Sequence, residues 1–266
     1  MTSKGNKKAL KSYSVPAIQR MLDLIEAMAT TKHELTITEA NRKFNIPKSS
    51  VYAILQTLKS RGYVDKDKED RYFLTLKLFS LGSTMVDSLD LRGRIYPLLK
   101  ELTEKAQITG HIAVLDDGYA VYIEKVEVLG AVRLTTWVGK RMHVHSTSIG
   151  KALVAHFSDE ELEQFVERYG LQRLTDRTIT NLRDFKKELA RVRANGYSTT
   201  SEENESTVRA VAAPILDHTG KTVAAVNLGG STLQIKADNL SSLGELVRSY
   251  AVKISQALGY RGPSRS

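Results

Sequence analysis

The sequence has no cysteine among its 266 residues. This absence excludes disulfide bonds, thiolate nucleophiles and cysteine-based metal sites together. Long apolar runs are also missing, since no stretch approaches the roughly eighteen consecutive apolar residues of a membrane-spanning helix. The segment from Met1 to Ser14 is polar and basic, and it lacks the apolar core of a secretory signal peptide. These absences predict a cytoplasmic protein with no membrane partner.

Negative charge is scarce in the first third of the chain, where positive charge is concentrated. The whole sequence carries 39 Lys and Arg against 30 Asp and Glu, a net charge of +9. Residues 1–80 contain 15 basic and 8 acidic residues, a net charge of +7, which leaves a net charge of +2 for the remainder of the chain. A basic segment ahead of a near-neutral one indicates a nucleic-acid surface, with a solvated basic tail as the alternative.

Three helix signals follow one another in this basic segment. The first helix is predicted to begin with Ser14 as its N-cap. Thr36 and Glu39 have the spacing of a capping box, which predicts the start of a short second helix. A third helix is predicted over Pro47–Arg61, and its apolar stripe has helical spacing. The residues of that stripe are Val51, Ile54, Leu55 and Leu58.

A charged hairpin follows the third helix. Tyr63–Val64 and Arg71–Leu74 are strand-like, and the charged segment Asp65–Asp70 joins them. Three helices and a charged hairpin within about 60 residues predict a winged helix–turn–helix domain. Such a domain places its last helix in the major groove of DNA.

Side chains suited to DNA lie on the face of the third helix opposite its apolar stripe, and on the hairpin. Serine hydroxyls and a glutamine amide can bond base edges, and lysine together with the amides of a helix start suits a phosphate. The predicted DNA-binding residues are Lys48, Ser49, Ser50, Tyr52, Ala53, Gln56, Lys66, Lys68 and Arg71. The alternative is a solvated helix face on which the two serines only cap the helix.

Beyond residue 75 the chain is first helical and then rich in strands. Two apolar runs between residues 76 and 107 predict a connecting helix and a second helix with Pro97 in its first turn, and their apolar surface suits dimer packing. Strands are predicted at His111–Leu115, Tyr119–Val126, Val132–Trp137, Val208–Leu216 and Thr222–Leu228. Helices are predicted at Ser148–His156, Asp159–Tyr169, Asn181–Asn195 and Ser241–Leu258. This pattern predicts an α+β fold with a mainly antiparallel sheet.

Several different short motifs follow one another between about Val15 and Gly259. They are Ile46–Tyr52, Leu55–Leu58, Gly62–Val64, His145–Leu153, Gly196–Ser198, Glu202–Asn204 and Val211–Ile215. Their order and spacing resemble the IclR family of bacterial transcription regulators. Many members of that family carry Arg where this chain has Ala53, so a preference for a particular DNA sequence cannot be carried over from them.

The resemblance implies a winged-helix domain, a linker helix and a GAF-like effector domain. We therefore expect a disordered basic tail over residues 1–13, a winged helix–turn–helix domain over 14–75, a linker helix over 76–90, and an effector-binding and oligomerisation domain over 91–260. The resemblance also implies homodimers or homotetramers that bind palindromic operators on double-stranded DNA. The implied effectors are small organic acids, which include aromatic and sugar acids.

The resemblance further implies where the effector binds. The loop that enters the helix at Ser148, Ile149 and Gly150 matches the place where backbone amides receive a carboxylate, as a helix start favours. The other implied pocket residues are Thr200, Ala210, Asn227 and Gly229. Ala210 and Gly229 carry no polar side chain where other members often have acidic, thiol or hydroxyl groups. A larger or more apolar ligand than a small oxo-acid is therefore expected.

Three further residues are on predicted strands that could face this pocket. They are Tyr122, Arg133 and Trp137. The favoured interpretation is sheet core for the two aromatic residues and surface charge for the arginine.

His143 and His145 could offer two metal ligands, yet no third ligand is near them in sequence. Ser148 and Lys151 match the S-x-x-K pattern of acyl enzymes, but the accompanying motifs are missing. We therefore predict no catalytic residue, no metal and no cofactor.

The leading hypothesis is a sequence-specific repressor-type regulator whose operator binding responds to a small acid. Two other classes stay open at this point. One is a hydrolase or transferase with a basic N-terminal module, and stoichiometric ligand binding without turnover would exclude it. The other is a nucleoid-type DNA binder, and a sequence-specific footprint would exclude it because a non-specific binder relies on phosphate contacts.

Overall fold

The computed structural model describes residues 15–31, 34–87, 91–128 and 135–262. The chain divides into two units between Met85 and Val86. The basic segment 1–13 and Arg133 lie outside the described residues. No helix in the described ranges is long and apolar enough to cross a membrane.

The first unit contains three helices and a hairpin in the predicted order, followed by most of a fourth helix. Its elements are α1 (Pro16–Thr31), α2 (Ile37–Phe44), α3 (Lys48–Ser60), β1 (Val64–Lys66), β2 (Tyr72–Leu74) and most of α4 (Lys77–Asp87). The capping box is confirmed, because Thr36 Oγ1 accepts from the Glu39 amide at 3.2 Å and the Thr36 amide donates to Glu39 Oε2 at 2.9 Å. Asn45 then adopts a left-handed conformation with φ of 52° and ends α2.

The hairpin is anchored to the helices through its second strand. β1 and β2 pair antiparallel with Lys66 opposite Tyr72. Leu35 adds a further bridge, because its amide and carbonyl exchange hydrogen bonds of 2.8 and 3.0 Å with Tyr72. The Tyr72 side chain is buried with Leu24, Val51 and Leu55 in the core of this unit. The sequence pattern did not predict the contribution of Leu35.

The second unit is built around a six-stranded sheet. Its elements are α5 (Leu91–Ala106), β3 (Gly110–Asp116), β4 (Tyr119–Val126), β5 (Arg141–His143), α6 (Ser148–Leu153), α7 (Asp159–Tyr169), α8 (Leu182–Asn195), β6 (Ser198–Ser201), β7 (Val208–Leu216), β8 (Thr222–Ser231) and α9 (Leu240–Ala257). The strand order is β5-β4-β3-β8-β7-β6, and every described pair is antiparallel. The predicted α+β fold with a mainly antiparallel sheet is confirmed.

The two faces of the sheet bury alternate residues, as the period of two in a strand requires. Val211, Ala213 and Ile215 of β7 pack in the core that contains residues of α5 and α9. Ala212 packs in a separate core with residues of α6. The start of α6 therefore lies against one face of the sheet, with strand residues beneath it.

Three of the predicted elements differ in the structure. Pro97 lies well inside α5, because that helix begins earlier, at Leu91. The predicted strand Val132–Trp137 is wrong over its described part, 135–137, where the backbone is irregular. The carbonyls of Thr135 and Thr136 accept hydrogen bonds from lysine ammonium groups, each at 2.8 Å, instead of joining a strand ladder. The helix predicted to reach His156 ends at Leu153.

Two strands were not predicted. β5 is only three residues long, and β6 is an all-polar edge strand, Ser198–Ser201, without the apolar alternation that reveals a strand. β6 nevertheless pairs with β7, where Thr200 lies opposite Ala210. This pairing brings two of the predicted effector residues side by side.

Candidate functional site

The candidate DNA-binding surface lies on α3. Val51, Leu55 and Leu58 are buried in the core, and they orient the opposite side of the helix towards solvent. On that side Lys48, Ser49, Tyr52 and Ala53 are exposed, and Ser50 and Gln56 are half-buried. The Tyr52 side chain, for example, keeps 53% of its surface accessible. The six residues predicted on this helix therefore share the face that points away from the core.

The start of α3 is open to a ligand. Its N-cap is Pro47, and no side chain caps the first turn. The first amides of an uncapped helix have no intrahelical acceptor, and the helix dipole adds partial positive charge there. Lys48, Ser49 and Ser50 occupy this first turn. The arrangement can bind a phosphate of a DNA backbone.

Gln56 connects α3 to the hairpin. Its Nε2 donates to the hydroxyl of Tyr72 at 3.1 Å, and Tyr72 is almost completely buried. The side-chain amide group of Gln56 is therefore oriented by the second strand of the hairpin. The second N–H of this amide and its Oε1 stay available for a bidentate pair with adenine while this hydrogen bond holds.

Acidic neighbours compensate much of the positive charge on the hairpin. Lys66 forms an ion pair with Asp70, and Arg71 lies 3.8 Å from Glu34 and 3.9 Å from Glu69. Among the three basic residues predicted on the hairpin, only Lys68 has no ion-pair partner in the described part of the chain. Lys68 is exposed, and it is the cation best placed to reach a phosphate.

The second unit contains a cavity over the sheet at the start of α6. It encloses about 540 Å³ of empty space, solvent at its mouth included, of which about 50 Å³ is wide enough for the centre of a water molecule. The lining residues are His111, Tyr122, Thr135, Thr136, Lys140, Met142, Thr147, Ser148, Thr200, Glu203, Asn204, Glu205, Val208, Ala210, Asn227 and Gly229. A concave site on which several polar side chains converge suits a small ligand.

Five of the seven residues predicted for the effector meet at this cavity. Ser148 comes from the start of α6, and the strand residues are Thr200, Ala210, Asn227 and Gly229. Ile149 is fully buried in the core beneath α6, and Gly150 is also buried, so neither forms part of the wall. The Gly150 amide donates to the Thr147 hydroxyl at 3.2 Å, as part of the helix cap. Tyr122 lines the cavity, whereas Trp137 is 54% exposed.

A series of buried hydrogen bonds between side chains stabilises one side of the cavity. His111 Nδ1 lies 3.1 Å from Asn227 Oδ1, and His111 Nε2 lies 2.8 Å from Thr136 Oγ1. The imidazole also stacks on the ring of Tyr122, with 4.3 Å between the ring centroids. Burial lowers the pKa of His111 to about 4, so the ring is neutral at pH 7. These hydrogen bonds orient the side-chain amide of Asn227 at the cavity wall.

A buried cluster of ion pairs stabilises another side of the cavity. Lys151 is fully buried, and its Nζ donates to Glu203 Oε1 at 2.8 Å, to Glu188 Oε1 at 3.3 Å and to the Thr199 carbonyl at 3.3 Å. Burial raises the pKa of Glu203, and the positive charge of Lys151 opposes that shift. Glu203 was not among the effector residues predicted from the sequence. Its place in the motif Glu202–Asn204 was the available signal.

Gly150 allows α6 to pack closely against the turn that follows β5. A methyl group in place of its hydrogen would overlap the backbone Cα and carbonyl of Val144, which has no flexible side-chain end to move away. We therefore expect Gly150→Ala to lower the free energy of unfolding by about 1 to 3 kcal/mol. Chemical denaturation followed by tryptophan fluorescence and circular dichroism would measure this change.

The matched control for that prediction is Gly82→Ala. A methyl group at Gly82, which lies in α4, would contact no atom within 4 Å. There the same change should leave stability unchanged or raise it by up to about 1 kcal/mol, since alanine is the better helix former. If the two variants unfold with the same free energy, the fold does not require a glycine at the contact between position 150 and the backbone of Val144.

Comparison with known proteins links both sites to one family. A model of the IclR helix–turn–helix domain matches residues 17–68, and a model of the C-terminal domain of the bacterial transcriptional regulator IclR matches residues 83–256. The HTH-type transcriptional regulator XynR of Escherichia coli (strain K12) is 33% identical over 247 residues, which are 92% of this chain and 98% of XynR.

Solved structures agree with these matches. The Thermotoga maritima IclR structure superposes with a TM-score of 0.79 at 28% identity, and it covers 91% of this chain and 98% of its own. An IclR homologue from Microbacterium hydrocarbonoxydans, solved in complex with 4-hydroxybenzoate, has the same TM-score of 0.79 at 22% identity, with coverage of 91% and 98%. The second of these similarities shows a shared fold only.

Proposed function

The chain belongs to the IclR family of bacterial transcriptional regulators, and from that membership we propose that a small organic acid controls its binding to a palindromic operator. It is a DNA-binding transcriptional regulator and not an enzyme. The proposal extends this to a homodimer or homotetramer that acts in the cytoplasm. The observation that carries it is the cavity at the start of α6, where five residues expected of an effector site meet.

The α3 face is the proposed surface for reading operator sequence. The exposed Lys48 and Ser49 and the half-buried Ser50 at the uncapped helix start support contacts with phosphates and base edges near the N-terminal end of a recognition helix. Gln56 and Tyr52 extend the same face towards the hairpin. The proposed DNA-binding set therefore stays as predicted, with Lys66, Lys68 and Arg71 on the hairpin.

Lys68 should contribute more to DNA affinity than Lys66. Lys68→Ala is expected to weaken binding to all sequences equally and to reduce the slope of log affinity against log salt by about 0.9, because one phosphate contact is lost. Lys66→Ala is the matched control, since Asp70 already compensates Lys66. Titrations at several salt concentrations would measure both slopes, and a larger change for Lys66 would contradict the assignment.

The proposed effector site is the cavity with Ser148, Thr200, Ala210, Asn227 and Gly229 on its wall, and Ile149 and Gly150 shape the helix start behind it. The cavity is small, with about 50 Å³ open to the centre of a water molecule, and polar groups from α6 and from several strands converge on it, as is usual at a small-ligand site. Ala210 and Gly229 leave room beside the polar groups, which supports a ligand larger than a small oxo-acid. The homologue solved with 4-hydroxybenzoate supports the chemical class of a small carboxylic acid.

The proposed mechanism is a population shift. The effector binds one conformation of the second unit more tightly, and the favoured conformation changes how well the two winged helices of a dimer fit their half-sites. Half-sites one or more helical turns apart require a defined separation of the two recognition helices. A change in that separation or in its rigidity would change operator affinity.

The experiment that tests this function uses sheared genomic DNA from the organism of origin. The purified full-length protein is incubated with the fragments, and the retained DNA is sequenced with and without small acids. A short palindromic motif that responds to an acid is expected. Retention of no specific sequence, with binding that only fades as salt rises, would indicate a non-specific DNA binder instead.

A further inference from the structure

We propose that Glu203 determines effector specificity by accepting a hydrogen bond from a hydroxyl group of the ligand. The cavity would then select a hydroxylated acid over the same acid without the hydroxyl group. This inference rests on the proposed effector site, and it adds to that site a residue that the family resemblance did not assign.

The first observation is a pair of buried polar atoms without partners. Glu203 Oε2 and Ser148 Oγ are both buried, and neither has a hydrogen-bond partner in the described part of the chain. Both residues line the same cavity. A buried acceptor left without a donor destabilises the folded state, and more so when it is charged, so native proteins rarely contain one. A ligand in the cavity can supply the missing donor.

The second observation is that Glu203 is held at both its side chain and its backbone. Lys151 binds its other carboxylate oxygen at 2.8 Å. The hydroxyl of Thr178 donates to the Glu203 carbonyl at 2.7 Å, and that of Thr175 donates to the Glu202 carbonyl at 2.7 Å. These contacts restrain the Glu203 carboxylate beside the cavity and so limit the positions that Oε2 can take. The acceptor is therefore preorganised, which lowers the entropic cost of binding a donor.

Ser148 lies on the same side of the cavity as this carboxylate. Ser148 and Lys151 are three residues apart on α6, and such residues are neighbours on a helix surface. Because Lys151 holds Glu203, the serine hydroxyl and the free carboxylate oxygen share one wall. A ligand hydroxyl can donate to Glu203 while it accepts from Ser148, since a hydroxyl has one donor and two acceptor positions.

The charges around Glu203 favour a neutral donor. Glu203 and Glu188 are balanced by Lys151 and Arg191, which lies 3.5 Å from Glu188. An ammonium group would add an uncompensated buried charge, and a carboxylate facing Glu203 would be repelled. Lys140 is the cationic residue on the described cavity wall, since His111 is neutral there, and the Glu205 carboxylate on the same wall lies 3.9 Å from the Lys140 ammonium. The acid group of the ligand is therefore expected near Lys140 and its hydroxyl near Glu203.

The test measures binding of matched acids to the full-length protein by isothermal titration calorimetry. The probes are gluconate against hexanoate and lactate against propionate, which differ in their hydroxyl groups. The wild-type protein should bind a hydroxylated member more tightly than its partner. Glu203→Gln should weaken binding of that member by about tenfold or more, because the amide NH₂ group presents donors where the carboxylate presented an acceptor.

Two further variants make the result interpretable. Glu202→Gln is the matched control, because Glu202 faces Arg177 at 3.0 Å outside the cavity wall, and its affinity should stay within about twofold of wild type. Ser148→Ala removes the second unpartnered group without touching the Lys151 ion pairs, and it should also reduce the preference for hydroxylated acids. It provides the test if Glu203→Gln fails to fold by circular dichroism.

Equal affinities for the members of each pair, or unchanged affinity in Glu203→Gln and Ser148→Ala, would overturn the proposal and assign the two atoms to bound water. Absence of binding by all four probes would also count against it. These outcomes are separate from a failure of the proposed function, which would appear as loss of sequence-specific DNA retention by the wild-type protein without any acid.

Discussion

Replacement of Ser50 by glutamate is expected to abolish sequence-specific operator binding. Ser50 is the third residue of α3 and lies on its outward face at the uncapped helix start. A carboxylate there would meet the phosphates and base-edge acceptors of DNA. The affinity of a regulator for its specific site usually exceeds its affinity for non-specific DNA by about a thousandfold or more, and we expect the variant to lose this difference. Fluorescence anisotropy with a retained operator fragment would measure the loss.

The fold should survive this substitution. An acidic residue in the first turn interacts favourably with the helix dipole, so Ser50→Glu should not unfold α3 or change the oligomeric state. Ser60→Glu is the matched control, because it adds the same charge at the exposed last residue of α3. It should retain most of the affinity. Wild-type affinity in Ser50→Glu would remove this helix face from the DNA interface.

Replacement of Lys151 by methionine is expected to destabilise the second unit by about 3 to 5 kcal/mol, the usual cost of leaving a buried charge without its partner. The Lys151 side chain is 0% exposed, and its ammonium compensates the carboxylates of Glu203 and Glu188, which are themselves mostly buried. Methionine preserves much of the volume, so the loss should come mainly from the carboxylates. Chemical denaturation at pH 7 would measure it.

Acid should partly restore the Lys151→Met variant. Burial already raises the pKa of Glu203 above its ordinary value, and removal of the lysine charge raises it further. The folded state then binds more protons than the unfolded state, so the free energy of unfolding falls as pH rises through the raised folded pKa. The destabilisation is therefore smallest below the ordinary pKa of a glutamic acid.

The double variant Lys151→Met/Glu203→Gln provides the control for this interpretation. It removes the more closely paired carboxylate together with the lysine, so part of the lost stability should return at pH 7 and the pH dependence should weaken. Equal stability of the single and double variants at every pH would show that the destabilisation arises from altered packing and not from buried charge.

Local signals in the sequence predicted most of the secondary structure. The Thr36 capping box and the turn at Asp117–Gly118, whose φ values are 39° and 77°, depend on interactions within a few residues. The period of α3 likewise separates its core face from its outward face without reference to other elements. The winged helix–turn–helix and the antiparallel hairpins could therefore be predicted from the sequence.

The wrong or missing elements lie where distant contacts outweigh local preference. Residues 135–137 are β-prone, but Lys140 donates to the carbonyl of Thr135 and Lys125 donates to that of Thr136. Ser198–Ser201 has no apolar alternation, yet it becomes a strand because β7 offers it a partner. A neighbour in space decides both outcomes, and a local pattern cannot reveal that neighbour.

The sequence by itself determined a basic winged-helix module, the outward face of its third helix and an α+β second unit. Its motifs also indicated the family, and the resemblance located five of the residues that meet at the cavity. Only the tertiary structure decided which side chains complete that cavity. His111 meets Asn227 across 116 positions, and Lys151 meets Glu203 across 52. Such polar contacts form because the fold buries these groups together and each must then find a partner, a condition that no local pattern encodes.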